Sequence, residues 1–105
     1  NNFSSYSYSD TSTREAMIEI YKHSNYIADP HGAIGYLGAK DYLKINPNAQ
    51  CIFLETAHPV KFLDIVQETL PVKVAIPSQI ESVLHKEKKF QKIKTYNELK
   101  NYLNT

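Results

Sequence analysis

Four residues, Thr56-Ala57-His58-Pro59, stand between an apolar run, Cys51-Ile52-Phe53-Leu54, and an amphipathic one, Val60-Lys61-Phe62-Leu63-Asp64-Ile65-Val66. A hydroxyl, a small residue, an imidazole and a proline at the end of a buried strand make a polar turn where ligands of open α/β sheets are held. A helix opening at Pro59 would add free amides and the positive end of its dipole. The Thr56 hydroxyl could then donate or accept one hydrogen bond to a ligand. The plainer alternative is that Thr56 or His58 only caps the helix that Pro59 begins.

Asp29-Pro30-His31 is the second candidate, a carboxylate and an imidazole two residues apart. As metal ligands they are weak, because a second cluster is needed. The other histidines, His23, His58 and His85, form no H-E-x-x-H and no paired spacing, so no metal site is expected. The plain reading is a helix-capping Asp followed by a partly buried His. Gly32, Gly35 and Gly38 recur every three residues but match neither G-x-G-x-x-G nor a P-loop. Glycine costs about 1 kcal/mol against alanine in a helix interior, so close approach of this face to another backbone is the expected compensation. Lys86, Lys88, Lys89, Lys92 and Lys94 form a basic run around Phe90, with Glu81, Glu87 and Glu98 nearby. That mixture suits a solvated connector better than a nucleic-acid or lipid surface. No G-x-S-x-G elbow or cysteine pair is present, and nothing marks Lys61 as a cofactor-bearing lysine.

The elements that must position these groups can be read from periodicity. A first helix starts near Ser12, where Ser12-Thr13-Arg14-Glu15 has the form of a capping box, and Asn25 is a plausible stop. A second starts at Asp29-Pro30 and ends before the turn Asn46-Pro47-Asn48. Residues 50–54 and 72–76 pattern as short strands, parallel because helical patterns flank them. Helices are expected over about 59–69, about 78–87 and about 96–103, from the spacing of their apolar residues. The fold class is therefore α/β, helices flanking a small piece of parallel sheet. Two strands make a thin sheet, so either helices cover both faces or the remaining strands lie elsewhere.

The 105 residues suffice for one domain, expected over 1–105, with 1–10 as a disordered or extended lead-in. Hydrophobic residues are 42% and charged residues 22%, in the range of ordinary globular chains. A net charge of +1 gives no global attraction to nucleic acid or anionic membrane. The lone Cys51 excludes an internal disulfide and fits a reducing compartment. No segment approaches the ~20 apolar residues of a membrane span, and the polar opening is no signal peptide. The chain does not begin with methionine, which points to a processed or excised piece of something longer.

The block SDTSTREAMIEIYKHSNYIADPHGAIGYLGAKDYL, followed by CIFLETAHPVKF, resembles the C-terminal part of threonine synthases. In that family a D-D-x-T-T-R-x-x-I helix leads into D/E-P-H-T-A-V-G-Y, and a short strand into T-A-H-P-A-K-F. The resemblance runs from about Ser9 to about Leu84 and is weaker in the lysine-rich end. It implies a cytoplasmic pyridoxal-phosphate enzyme of fold type II, a lyase of threonine biosynthesis. Its substrates are O-phospho-L-homoserine and water, and its products L-threonine and phosphate. The lysine and the polar loop that hold pyridoxal 5'-phosphate belong to the N-terminal part, so this piece alone should be inactive. By the same resemblance Thr56 matches the residue that hydrogen-bonds the pyridine nitrogen. Ala57 and His58 belong to the same cofactor-facing turn, and Asp29, His31 and Lys61 are cleft-lining positions. A neutral hydroxyl tunes the cofactor without introducing a buried charge. One departure is visible: Gly32 stands where many members carry Thr in P-H-T-A. Rival readings are another fold-type-II lyase, such as a serine or threonine deaminase, and a non-catalytic binding module.

Overall fold

Ten of the first thirteen residues are Ser, Thr, Asn or Asp, so several side chains compete to begin the first helix. In the computed structural model, which describes residues 3–104, Ser9 wins. The helix α1 is Asp10–Ser24. Ser9 Oγ accepts from the Ser12 amide at 3.2 Å, and Thr13 Oγ1 donates to the Ser9 carbonyl at 2.9 Å. The expected capping box at Ser12 is thus displaced by one turn, and Ser12 lies inside the helix. The earlier start places Asp10 in the first turn, against the positive dipole end. Asn25 ends α1 as expected, in the left-handed region at φ 55°, its amide donating to the Tyr21 carbonyl at 2.8 Å.

The second helix, α2, is Pro30–Ile45, with Asp29 as N-cap and Pro30 in its first turn. A 3-10 turn, Pro59–Phe62, runs into α3, Leu63–Thr69. Pro59 supplies the fixed φ for that start. α1 packs on α2 and on α3. Ala16, Met17 and Ile20 of α1 meet Ala28, Ala33, Val66, Leu70 and Val74 in one apolar core. Met17 and Leu70 are almost wholly buried, each contributing about 1.5–3 kcal/mol by removal from water. Arg14 ties α1 to the end of α3, donating to Thr69 Oγ1 at 2.8 Å and Glu68 Oε2 at 3.2 Å.

The expected sheet is not found. Among the described residues there is no strand, and the fold is five α-helices and one 3-10 turn. A strand exists only through a partner's ladder, and two short segments that do not pair leave both sequences as irregular backbone. Ile52 and Leu54 consequently face solvent, at 92% and 77% exposure. Their apolar pattern is thus left without a partner strand among the described residues.

The backbone gathers into two compact units, Asn1–Ala75 and Ile76–Thr105. The second holds α4, Ser78–Leu84, and α5, Tyr96–Leu103. α4 is shorter than the expected 78–87, and α5 matches its expected span. Thr95 caps α5, accepting from the Glu98 amide at 3.2 Å. Its described residues include none that is buried. Of the expected lead-in over 1–10, residues 1 and 2 lie outside the described residues. Residues 3–9 carry no regular element, and Tyr8 donates its hydroxyl to Asp41 at 2.7 Å.

Candidate functional site

The site is built where the first turn of α2 meets the 3-10 turn. Asp29 is fully buried, and its Oδ1 accepts from the amides of His31 at 2.6 Å and Gly32 at 3.2 Å. Two orphan donors of the helix start are thereby satisfied, a cap worth about 1 kcal/mol. His31 Nδ1 lies 3.2 Å from the same oxygen, while its ring, largely exposed, packs on Phe62 with centroids 4.9 Å apart. That ring contact joins the Asp29-Pro30-His31 motif to the 3-10 turn of the second motif.

His58 caps that 3-10 turn. Its Nδ1 accepts from the Val60 amide at 3.2 Å, which assigns the ring proton of the neutral form to Nε2. The plain capping alternative is therefore realised by His58, not by Thr56. The remaining face of His58 borders a cavity of about 340 Å³, shared with Asn25, Tyr26, Ile27, Pro59, Val74 and Ala75. Ala57 is half-buried at the bend. Thr56 is exposed, and its hydroxyl has no hydrogen-bond partner among the described residues. Lys61 is exposed in the 3-10 turn and forms no ion pair among them. No group of three or more His, Cys, Asp or Glu side chains there could hold a metal ion.

One participant carries no role in the sequence reading. Glu55 ends the apolar run, and its carboxyl rests on Gly32: a Cβ at that position would coincide with Glu55 Oε1, Cδ and Oε2. The glycine that departs from P-H-T-A is what admits this carboxyl. Gly35, one turn on, is approached by Phe53, with 3.4 Å between its would-be Cβ and the Phe53 Cβ. The glycine face of α2 is thus a packing face, but what approaches it is the side chains of Glu55, Phe53 and Tyr6 and not the expected backbone. Both Glu55 oxygens and Asp29 Oδ2 are buried without a hydrogen-bond partner. Burial, and then the charge of Asp29, push the Glu55 carboxyl above its ordinary range, with His31 opposing. Tyr26 is raised too, by burial and then by Glu55 and Asp29. The one sequence signal for Glu55 was a lone carboxylate ending an apolar run.

The structure therefore brings Asp29, His31, Gly32, Glu55 and Phe62 together, beside Thr56. It leaves Lys61 on the outer face. For pyridoxal phosphate the residues present fit one edge only. A free neutral hydroxyl at Thr56 suits a ring nitrogen, and no phosphate cradle is gathered around it among the described residues.

Comparison with known proteins gives one answer. The family profile described as "Threonine synthase, C-terminal" matches residues 32–103. Threonine synthase of Buchnera aphidicola from Acyrthosiphon pisum is 40% identical over 76 residues, 72% of this chain and 17% of that protein. Threonine synthase of Escherichia coli K12 is 35% identical over 71 residues, covering 68% and 16%. That of Pseudomonas aeruginosa is 32% identical over 88 residues, covering 83% and 19%. The chain spans roughly one sixth of the length of these curated relatives. No solved structure matches.

Proposed function

This chain belongs to the threonine synthase C-terminal family, and from that premise we propose that it is the C-terminal part of a cytoplasmic threonine synthase of fold type II. The complete protein would convert O-phospho-L-homoserine and water to L-threonine and phosphate, a carbon–oxygen lyase reaction. Pyridoxal 5'-phosphate supplies the electron sink for that chemistry when bound. The remaining N-terminal part of the same protein would hold its aldehyde and phosphate, so this piece is inactive alone.

The residues of this chain then have limited tasks. Thr56 offers one neutral hydrogen bond to the pyridine nitrogen, which tunes the ring without forcing it to carry a proton. Ala57 lets the backbone approach the ring closely, and the His58 cap fixes the exit of the turn. Asp29 and His31 keep the first turn of α2 in place beside it, and Lys61 lines the outer cleft as a solvated cation. The observation that carries the reading is the exposed, unpartnered Thr56 hydroxyl, set within the family-matched segment. Relatives named threonine synthase across several bacteria support it, and no comparison favours a deaminase or a binding module.

The deciding experiment is phosphate release from O-phospho-L-homoserine, with pyridoxal phosphate present, by the complete parent protein and by this chain. Release by the parent alone is expected. A silent parent that instead deaminates serine or threonine would overturn the substrate assignment.

A further inference from the structure

Thr56 has no anchor of its own. Its hydroxyl is unpartnered and its side chain is exposed, so its position is inherited from its neighbours. On the far side the anchor is the His58 cap and the buried Val60. On the near side it is Glu55, whose carboxyl rests in the notch at Gly32. We propose that Glu55 is the positioning residue for Thr56: its carboxyl, seated on the first turn of α2, holds the following hydroxyl where the cofactor ring meets it. This deepens the proposed function and rests on it for the words about the cofactor. The seating itself does not.

The seat has a definite chemistry. Both oxygens of Glu55 are acceptors when ionised, and neither finds a donor. The helix start could have supplied amides, but Asp29 Oδ1 already takes those of His31 and Gly32. A second negative charge there would face Asp29, whose own Oδ2 is buried and unpartnered. The titratable groups around the carboxyl are Asp29 and His31 at the start of α2 and Tyr26 in the preceding connector. Only His31 can contribute positive charge, and its ring is largely exposed. Burial without a donor, and then the neighbouring Asp29, therefore disfavour the charged form of this carboxyl. Ionisation gives it a reason to leave for water, taking the near anchor of Thr56 with it.

The test uses carboxyl and amide NMR on this chain and kinetics on the complete parent. In the unaltered chain the Glu55 carboxyl should titrate above the ordinary carboxylate range, and the Thr56 amide should shift over the same pH interval. Gly32→Ala should evict the carboxyl, return its titration to the ordinary range and displace the Thr56 amide. Glu55→Gln keeps the shape without the titration. It should hold the Thr56 amide at its low-pH position at every pH, which keeps the test sound if Gly32→Ala fails to fold. In the parent, kcat should fall as pH rises through the Glu55 titration, and Glu55→Gln should remove that fall. Gly32→Ala should lower kcat on the order of a hundredfold, as for a reacting group misplaced by an ångström. A Glu55 that titrates as an ordinary carboxylate, or a Thr56 amide blind to it, overturns the proposal. If the amide follows Glu55 but the parent does not form threonine, the positioning stands and the functional reading fails.

Discussion

Two glutamates pack against α2, and their surroundings are opposite. Glu19 meets its middle. It accepts from Tyr36 Oη at 2.8 Å and from Lys40 Nζ at 2.7 and 2.9 Å, and the Lys40 hydrogen bond holds its carboxyl below the usual range. Glu55 meets the first turn, has no donor, and is pushed up by burial. The first is an ordinary half-exposed brace between α1 and α2. The second is a cost the fold carries at the place where the family motifs converge. Local conflict between burial and hydrogen bonding sets the first turn of α2, where the candidate site lies, apart from the middle of the helix.

The comparison can be broken at several points. The largest effect belongs to Thr56→Val in the complete parent. Turnover should drop on the order of a hundredfold while thermal unfolding stays unchanged, because the side chains are nearly isosteric and the hydroxyl has no internal partner. Unchanged turnover would remove Thr56 from the site. Next is Asp29→Ala, which strips two amide partners from α2 and should cost about 1–2 kcal/mol in urea unfolding. Smaller again is Glu19→Gln, expected to cost under about 1 kcal/mol and to lose even that in high salt, since the pair is more than a third exposed.

The sharpest form of the contrast is pH. Glu55 has a raised folded-state value, so its contribution is complete below the ordinary carboxylate range and is lost as pH rises through the folded value. Glu19 is lowered, so its contribution is present above that range and is lost as pH falls through the folded value. Unfolding free energy followed against pH should therefore lose, in Glu55→Gln, the decline that runs from the ordinary carboxylate range up through the raised Glu55 value, and part of its acid decline in Glu19→Gln. Equal profiles for the two variants would erase the distinction.

Much of the frame was legible because it is local. Asp29 before Pro30, Asn25 after α1 and the turn at Asn46 each act within a few residues, and each is placed by the sequence alone; the span of α5 follows from its apolar spacing. Ser9 was missed because a run of possible caps leaves the choice to the buried face, which needs Thr13, Ala16, Met17 and Ile20 in register. The sheet failed for a different reason. Pairing is a property of two segments, and the apolar runs over 50–54 and 72–76 do not pair here. His58 was placed in the right turn, but its role as a cap depended on which side chain reached the Val60 amide. Glu55 was invisible as a participant because its meaning lies in Gly32, more than twenty residues away.

The Asp29 cap has a covalent consequence. An aspartyl–prolyl bond is cut in mild acid when the carboxyl is free to attack its own carbonyl, and Asp29-Pro30 is such a bond. In the folded chain that carboxyl is out of solvent and held on two amides. The backbone should thus survive acid as long as the cap does, and split into residues 1–29 and 30–105 once it opens. Fragment masses from a timed acid incubation then report how long the start of α2 stays closed.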